Sequence, residues 1–407
     1  MRRLLVAVRD LDPPGGGAER SLAALINGLA RPGPVASTAP EFLPAVPAET
    51  VDTHDAWEVR ALSSKSRGAA TDLLDEAVKA ERLALPIEGP WSRAAWALRQ
   101  RGGSRRPRHW AHRRHLVQRN KQFATEVGQW LSSTGPGIGL TQLDWAAGAA
   151  SAFKAAGVPW MVFVRDEIVF RFPSLYRPAI EGAALVCAAG EGLLSQIEGT
   201  FSLRGKVNVP LPIDFGGRFG PLEDVKARVA TARREKQDDA RPRITVVGVT
   251  PEKGLATYHR LLPRMAEVWP EVEVELVGGG AYIEELGQYP NALLRGPVPV
   301  EDVFPHTDVH LLLVETTGSW GRVINEAGLH GVPTVTCSIG SQPEAVGPGG
   351  VAVKDHHDID GLIAALRQTM AERDVYGQRA LAHAGVVDHR RSVAIFREAV
   401  EGLLDPR

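Results

Sequence analysis

Cysteine is scarce in this sequence. Only Cys187 and Cys337 occur among 407 residues, and each lies in an apolar stretch. Two thiols in such surroundings are typical of buried cysteines in a reducing compartment, whereas small secreted domains stabilised by disulfide bonds are much richer in cysteine. We therefore predict two free, buried thiols and no disulfide bond.

Long apolar runs are absent as well. Lys154 and Glu191 interrupt the best candidates for a membrane span, which needs about 20 consecutive apolar residues. The apolar run from Leu4 to Val8 follows two arginines but is too short for the core of a signal peptide. The sequence therefore predicts a cytoplasmic protein, with peripheral contact at the inner face of the membrane left open.

A surplus of charge of either sign is also lacking. The chain has 47 basic and 48 acidic residues, and its formal net charge is -1. This balance gives the protein no overall excess of positive charge that would attract a polyanion, so we predict no nucleic-acid partner. A length of 407 residues indicates two or three domains, and 44% hydrophobic and 23% charged residues are typical of a soluble globular enzyme.

What is present is an alternation of apolar strands and amphipathic helices. Residues 4–8 have the continuous apolar pattern of a buried parallel strand, and a Pro/Gly-rich loop follows at 13–17. Apolar residues then recur at helical spacing over 22–29, so the chain begins with a doubly wound α/β unit. Three further strands are predicted in the first half, at 140–145, 160–164 and 185–187.

The second half alternates more regularly and predicts a second parallel sheet. Its predicted strands are 244–247, 272–277, 309–314 and 334–337. Between the halves, Pro210 and Pro212 favour an extended connector over 207–213 rather than a central strand. We place the domain boundary near residue 214.

Two glycine-containing loops after predicted strands are suited to phosphate. The glycines at 15–17 precede a helix, whose free N–H groups and dipole favour an anion, although a plain strand-to-helix turn fits equally well. In the loop 248–254, Lys253 lies where a strand ends and a helix begins, a common ligand position in open α/β sheets. A lysine there can neutralise a diphosphate, and the alternative is a solvated surface lysine.

The third loop is the most informative. Gly318 and Gly321 follow the strand at 309–314, and Glu326 is expected in the first or second turn of the next helix. A carboxylate can accept hydrogen bonds from the vicinal hydroxyls of a ribose. A glutamate that complements the helix dipole is the alternative, but it does not explain the paired glycines.

The order of these motifs resembles the family-4 retaining glycosyltransferases of the GT-B fold. The matching segments run through most of residues 244–353, with scattered points in the first half. They are Gly16–Arg20, Pro251–Gly254, Val277–Gly280, Leu294–Val298, Gly321–Ala327, Gly331–Val335 and Gly340–Gly350.

The resemblance implies an α/β protein with two Rossmann-like domains, whose parallel sheets face each other across a cleft. Residues 1–213 would bind the acceptor, 214–385 would bind the nucleotide sugar, and a C-terminal helix in 386–407 would return to the first domain. The implied reaction transfers a sugar from a nucleotide diphosphate sugar, with retention of configuration and with neither cofactor nor metal. The acceptor, whether a small molecule, a lipid-linked molecule or a glycan, stays open.

The resemblance also implies roles for individual residues. Lys253 would hold the diphosphate, and Glu326 would hold the ribose. Arg165 is a candidate to supply a further positive charge, with a structural ion pair to Asp166 as the equal alternative. These three are the predicted catalytic residues. The predicted nucleotide-sugar contacts are Gly16, Gly17, Lys253, Gly296, Val298, Gly318, Ser319, Trp320, Gly321, Arg322, Val323 and Glu326.

Two positions depart from the family pattern. Gly318 occupies the place of a second glutamate, for which Glu315, three residues earlier, is a candidate substitute, and Val249 occupies the place of an arginine. Arg322, Arg295 and Arg165 are candidates to replace that cation. These losses leave a second hypothesis, an inactive homologue that acts as a binding or partner subunit. An NAD-dependent oxidoreductase is disfavoured, because no acidic residue ends a clear second strand at the spacing of the dinucleotide fingerprint.

A basic segment, Arg99 to Lys121, also contains His109, His112 and His115. These histidines lack a fourth ligand and an i, i+4 pair, so a solvated basic helix is favoured over a zinc site. The segment is alternatively a contact for an anionic lipid surface or acceptor, with Trp110 as an interfacial anchor. The pair His356–His357 receives no role from the sequence.

Overall fold

The computed structural model of the chain describes residues 2–11, 17–31, 57–64, 74–83, 105–213, 219–236, 241–317 and 320–404. The described residues form two compact units. One contains those up to Pro212 together with the segment from His389, and the other contains Ile213–Asp388. Cys187 and Cys337 are both buried and free, as the sequence predicts. Among the described helices, none is long and apolar enough to span a bilayer.

The first unit contains a parallel sheet of seven strands in the order β3-β2-β1-β4-β5-β6-β7. Its strands are β1 (Arg3–Val8), β2 (Glu58–Ser64), β3 (Val78–Leu83), β4 (Ile138–Gln142), β5 (Trp160–Val164), β6 (Leu185–Ala188) and β7 (Lys206–Asn208). Its described helices are α1 (Gly17–Ala30), α2 (Arg105–Thr134), α3 (Ala146–Ala155), α4 (Ile168–Arg171), α5 (Pro173–Glu181) and α6 (Glu191–Glu198), with the C-terminal helix given below.

Three strands near the edges of this sheet, β2, β3 and β7, lie where the sequence predicted no strand. β2 and β3 were not predicted, because charged residues interrupt their apolar pattern; ion pairs between the strands accommodate them, such as Arg60–Glu81 at 2.8 Å and Lys79–Glu58 at 3.0 Å. The predicted connector at 207–213 begins within β7. This strand is at the edge of the sheet, where the nearby prolines are tolerated.

The second unit contains a parallel sheet of six strands in the order β10-β9-β8-β11-β12-β13. Its strands are β8 (Arg243–Val247), β9 (Glu273–Val277), β10 (Ala292–Gly296), β11 (Val309–Leu312), β12 (Thr334–Cys337) and β13 (Gly350–Val353). Its described helices are α7 (Leu222–Lys236), α8 (Leu255–Val268), α9 (Ala281–Leu286), α10 (Arg322–Leu329), α11 (Gln342–Val346), α12 (Ile359–Ala371) and α13 (Arg373–Ala384).

The last helix, α14 (His389–Glu401), belongs to the first unit and packs against α1. Phe396 is fully buried, and its ring centroid lies 6.4 Å from that of Phe163 on β5. Arg397 donates a hydrogen bond of 2.8 Å to the carbonyl of Gly28. A β-carbon at Gly28 would lie 2.6 Å from Val393, so glycine permits this close approach of the two helices.

Candidate active site

The order of strands in the second sheet defines one position suited to a ligand. β9 and β11 lie on opposite sides of β8, so the chain leaves the sheet in opposite directions after β8 and β11. In open α/β sheets ligands bind beyond the carboxyl ends of the strands at such a point. The two loops that begin there are joined, because the Glu315 N–H donates a hydrogen bond of 2.8 Å to the carbonyl of Glu252.

The loop after β8 has a fixed backbone. Pro251–Lys253 is a short helical turn, and the Thr250 side chain accepts a hydrogen bond of 3.2 Å from the Lys253 N–H. Gly254 follows in the left-handed conformation with φ 71°, and a β-carbon there would lie 2.6 Å from Leu313 Cβ. Both the conformation and the close approach therefore require glycine before α8.

The side chain of Lys253 folds back over its own loop. Its Nζ would lie 3.3 Å from a β-carbon at Gly248, so the ammonium group lies beside the backbone that ends β8. The side chain is solvent-accessible, yet the surrounding protein lowers the pKa of Lys253 by desolvation. A cation at the switch point can attract a phosphate group.

The loop after β11 is fixed at the start of α10. Gly321 has φ 77°, and a β-carbon there would lie 2.8 Å from Leu312 Cδ2. The buried Trp320 donates a hydrogen bond of 2.8 Å from Nε1 to Asn325 Oδ1, and Asn325 Nδ2 donates one of 3.2 Å to the carbonyl of Ala345. Asn325 therefore positions the first turn of α10, a role that the sequence did not predict.

Glu326 lies in the second turn of α10 and is buried. Its Oε1 is 3.8 Å from Arg322 Nε one turn earlier, and both side chains are mostly buried. The N–H groups of Arg322 and Val323 belong to the first turn of the helix, where backbone donors have no intrahelical acceptor. The end of α10 thus combines a carboxylate, a guanidinium and backbone donors.

The predicted base contacts lie at the neighbouring edge of the same sheet. Gly296 ends β10 with φ 77°, and its carbonyl accepts hydrogen bonds from the Gly278 N–H at 2.8 Å and the Val298 N–H at 3.1 Å. These bonds hold the turn after β10 against the end of β9. Gly16, Gly318 and Ser319 lie outside the described residues, and Gly17 is the first residue of α1.

One of the two departures noted in the sequence, Val249, has a structural explanation. Val249 is 5% exposed and packs into the core of the second unit, so that position does not direct a side chain towards a ligand. Arg295 lies 3.6 Å from the buried carboxylate of Glu275. Of the two candidate cations in this unit, Arg322 lies beside Glu326, whereas Arg295 pairs with Glu275 of β9. Glu315 faces His356 and His357.

Charged groups also collect at the carboxyl edge of the first sheet. Arg9, just after β1, forms ion pairs with Asp10 at 2.6 Å and Asp144 at 2.5 Å. Arg165, just after β5, donates a hydrogen bond of 3.0 Å to Gln142, and its guanidinium lies 3.8 Å from the centroid of the Phe163 ring. Burial raises the pKa of Asp166 to about 6.

The basic segment belongs to α2 over its described part. His109 and His112 pack against Phe172 with centroid separations of 4.6 Å and 5.2 Å. Trp110 is 51% exposed, and the guanidinium of Arg114 lies 5.1 Å from its ring centroid. Within the described ranges, the helix histidines are not part of a group of three or more side chains that could hold a metal ion.

Comparisons with known proteins agree with this architecture. Residues 241–372 match the family Glycosyl transferases group 1. A GDP-mannose-dependent alpha-(1-6)-phosphatidylinositol monomannoside mannosyltransferase from Mycolicibacterium smegmatis is 28% identical in an alignment of 191 residues. The match covers 39% of this chain and 50% of that relative. The chain thus matches about half the length of this relative.

Solved structures match over the full length. HepE from Anabaena in complex with UDP and glucose is 16% identical, covers 100% of both chains and has a TM-score of 0.65. Sucrose-phosphate synthase from Thermosynechococcus elongatus is 14% identical, covers 99% of both chains and has a TM-score of 0.69. The predicted fold class is therefore confirmed. Residues 241–372 match the Glycosyl transferases group 1 family, and the chain has the α/β fold of GT-B glycosyltransferases.

Proposed function

We propose that this protein is a glycosyltransferase that moves a sugar from a nucleotide diphosphate sugar to an acceptor, with retention of configuration. The observation that carries the proposal is the joined pair of loops after β8 and β11. One loop supplies the ammonium group of Lys253, and the other leads to Arg322 and Glu326 in α10. The match of residues 241–372 to a glycosyltransferase family covers both loops.

The charges of this site suit a departing nucleoside diphosphate. Breaking the bond between sugar and phosphate leaves extra negative charge on the diphosphate, and fixed positive groups stabilise that charge in the transition state. Lys253 supplies a compact cation, and the first turn of α10 supplies N–H donors. With these groups the transfer requires neither a metal ion at the diphosphate nor a cofactor.

Glu326 has a different task in the proposal. Its carboxylate accepts hydrogen bonds from the vicinal hydroxyls of the ribose. The positive charge of Arg322 offsets the cost of burying that negative charge. Gly296 and Val298 would border the base. Gly16, Gly17, Gly318, Ser319 and Arg165 remain predicted contacts or catalytic groups.

The exposed face of α2 and the relative named above bear on the acceptor and on the location of the protein. The relative named above acts on a phosphatidylinositol mannoside by its name, and α2 carries Trp110, Arg113 and Arg114 on an exposed face. We infer a lipid-linked acceptor and a cytoplasmic protein that contacts the inner membrane face through α2.

Ligand-induced thermal stabilisation tests the donor. We expect one of UDP-glucose and GDP-mannose to raise the midpoint of unfolding, because a ligand at a hundredfold excess over its Kd stabilises the folded state by about 2.7 kcal/mol. NAD serves as the control dinucleotide and should give no shift. A shift with NAD alone, or with none of these ligands, would contradict the proposed function.

The same experiment on two variants tests the role of Glu326. Glu326→Gln removes the charge of the ribose contact, so donor binding should weaken by about 10- to 100-fold, since a hydrogen bond to a charged group contributes about 1.5–3 kcal/mol. Glu284→Gln, an exposed position on α9, is the matched control and should bind the donor as the wild type does. Equal affinity of Glu326→Gln and the wild type would exclude this role for Glu326.

A further inference from the structure

A second cluster of polar side chains lies at the carboxyl edge of the second sheet. Glu315 follows β11 and the pair His356–His357 follows β13, so the sheet brings together residues that are far apart in the chain. Glu315 Oε2 is 3.2 Å from His356 Nε2 and 3.5 Å from His357 Nε2. One ligand atom from each of the three residues lies within 4.8 Å of the others.

His356 indicates that this cluster is more than an ion pair. Its side chain is 6% exposed, and its Nε2, although 3.2 Å from Glu315 Oε2, forms no hydrogen bond with a described residue. A buried polar atom without a partner destabilises a protein, so such an atom requires an explanation. A cation between His356 Nε2 and the Glu315 carboxylate would give this nitrogen a partner.

The distances fit a tetrahedral zinc ion. With bonds of about 2.0–2.2 Å from zinc to nitrogen and oxygen, neighbouring ligand atoms in a tetrahedral site are about 3.4 Å apart. The two separations of 3.2 Å and 3.5 Å agree with that value. A direct charge-assisted hydrogen bond would be shorter, at about 2.7–2.9 Å.

Thr257 on α8 orients two of the three ligands. Its Oγ1 lies 3.2 Å from His357 Nδ1 and donates a hydrogen bond of 3.4 Å to Glu315 Oε1. These contacts engage His357 Nδ1 and Glu315 Oε1. The other polar atom of each side chain, His357 Nε2 and Glu315 Oε2, therefore stays available for the ion. Histidine ligands of metals are held through their other ring nitrogen in this way.

We propose that Glu315, His356 and His357 bind one Zn²⁺ ion, with a water molecule as the fourth ligand. The ion ties the loop after β11, which leads to α10, to the connection between β13 and α12. This site is distinct from the residues proposed to hold the donor, and binding of the ion requires no transferase activity.

Metal titration of the untagged, chelator-treated protein tests the site. Calorimetry should show one Zn²⁺ per chain, and Co²⁺ should give the visible absorption of a four-coordinate ion. His357→Ala, at a half-exposed position, should weaken Zn²⁺ binding more than Thr257→Val does. For Thr257→Val we expect a loss of about 10- to 100-fold, the usual effect of removing a partner of a ligand.

His259→Ala is the matched control, because His259 also pairs with a glutamate but belongs to no group of three metal-compatible side chains among the described residues. His259 Nε2 is 2.9 Å from Glu285, and its Nδ1 is 2.9 Å from the Tyr289 hydroxyl. This variant should bind Zn²⁺ as the wild type does. Glu315→Gln gives a second, isosteric loss of a ligand if His357→Ala fails to fold. Failure of the folded wild type to bind Zn²⁺, or equal binding by the wild type and both ligand variants, would overturn the proposal.

Discussion

The carboxyl group of Asp166 is buried just after β5, next to Arg165. Burial raises its pKa to about 6, which exceeds the usual 3.8, although the carboxylate accepts a hydrogen bond of 3.1 Å from the Ile168 N–H. The nearby Asp144 and Glu167 add smaller contributions in the same direction. The folded chain therefore keeps a proton on Asp166 between these two pH values, whereas the unfolded chain loses it.

This difference predicts how stability depends on pH. Because the folded state binds the extra proton, the contribution of Asp166 to the free energy of unfolding falls as pH rises from 3.8 towards about 6. Asp166→Asn keeps the acceptor oxygen without the charge. The free energy of unfolding of the variant should exceed that of the wild type by about 2–3 kcal/mol at pH 8 and by little at pH 4. The size follows because one pKa unit corresponds to about 1.36 kcal/mol.

Urea unfolding of both proteins from pH 4 to pH 8 measures this difference. The low-pH arm is the internal control, since in the folded proteins the aspartic acid and the amide are both neutral there. Parallel stability curves of wild type and Asp166→Asn across the range would contradict the inferred environment of Asp166.

Single residues also show where sequence reasoning ends. Lys253 could be selected because it lies in a glycine-containing loop between an apolar strand and a helix, and Glu326 because it lies in the helix that follows such a loop. The cluster of Glu315 and His356–His357 could not, because only the strand order brings the loops after β11 and β13 together. The absence of an arginine at Val249 became interpretable only when the structure placed that side chain in the core.

Among the elements, prediction succeeded where strands are buried on both faces. β1, β8 and β11 have continuous apolar runs, since helices cover a parallel sheet on both sides. β2 and β3 carry Arg60, Glu81 and other charged residues, and a pattern without clear alternation gives no strand signal. The loops after β8 and β11 were thus located from the sequence, whereas the strands β2, β3, β10 and β13 were not predicted.

Helix α2 is the element for which membrane contact is testable. Each basic residue near an anionic surface contributes about 1 kcal/mol, so replacing both Arg113 and Arg114 by alanine should weaken binding to vesicles containing phosphatidylglycerol by about 30-fold. Sedimentation with vesicles measures this affinity, and phosphatidylcholine vesicles should bind neither protein. The paired replacement of the exposed Lys154 and Arg204 by alanine is the matched control. Equal losses in both double variants would contradict a specific contact through α2.

At the scale of the whole molecule, the first unit is completed by the end of the chain. Val393, Phe396 and Val400 of α14 are buried in the same core as Leu25 and Ile26 of α1. The second unit has a separate core, formed by residues between Ile244 and Leu366. A cavity in α14 should therefore destabilise residues at the opposite end of the sequence and leave the second unit unchanged.

Phe396→Ala tests this organisation. Loss of a buried phenylalanine side chain typically destabilises a protein by about 3–5 kcal/mol, and this one contacts Phe163 of β5. Hydrogen exchange should accelerate in β1, α1 and β5, whereas β8 to β13 should keep the protection seen in the wild type. Glu398→Ala, at an exposed position of the same helix, controls for a change in helix propensity and should leave both units protected. Accelerated exchange confined to α14, or spread equally through both units, would show that α14 is not an integral part of the first core.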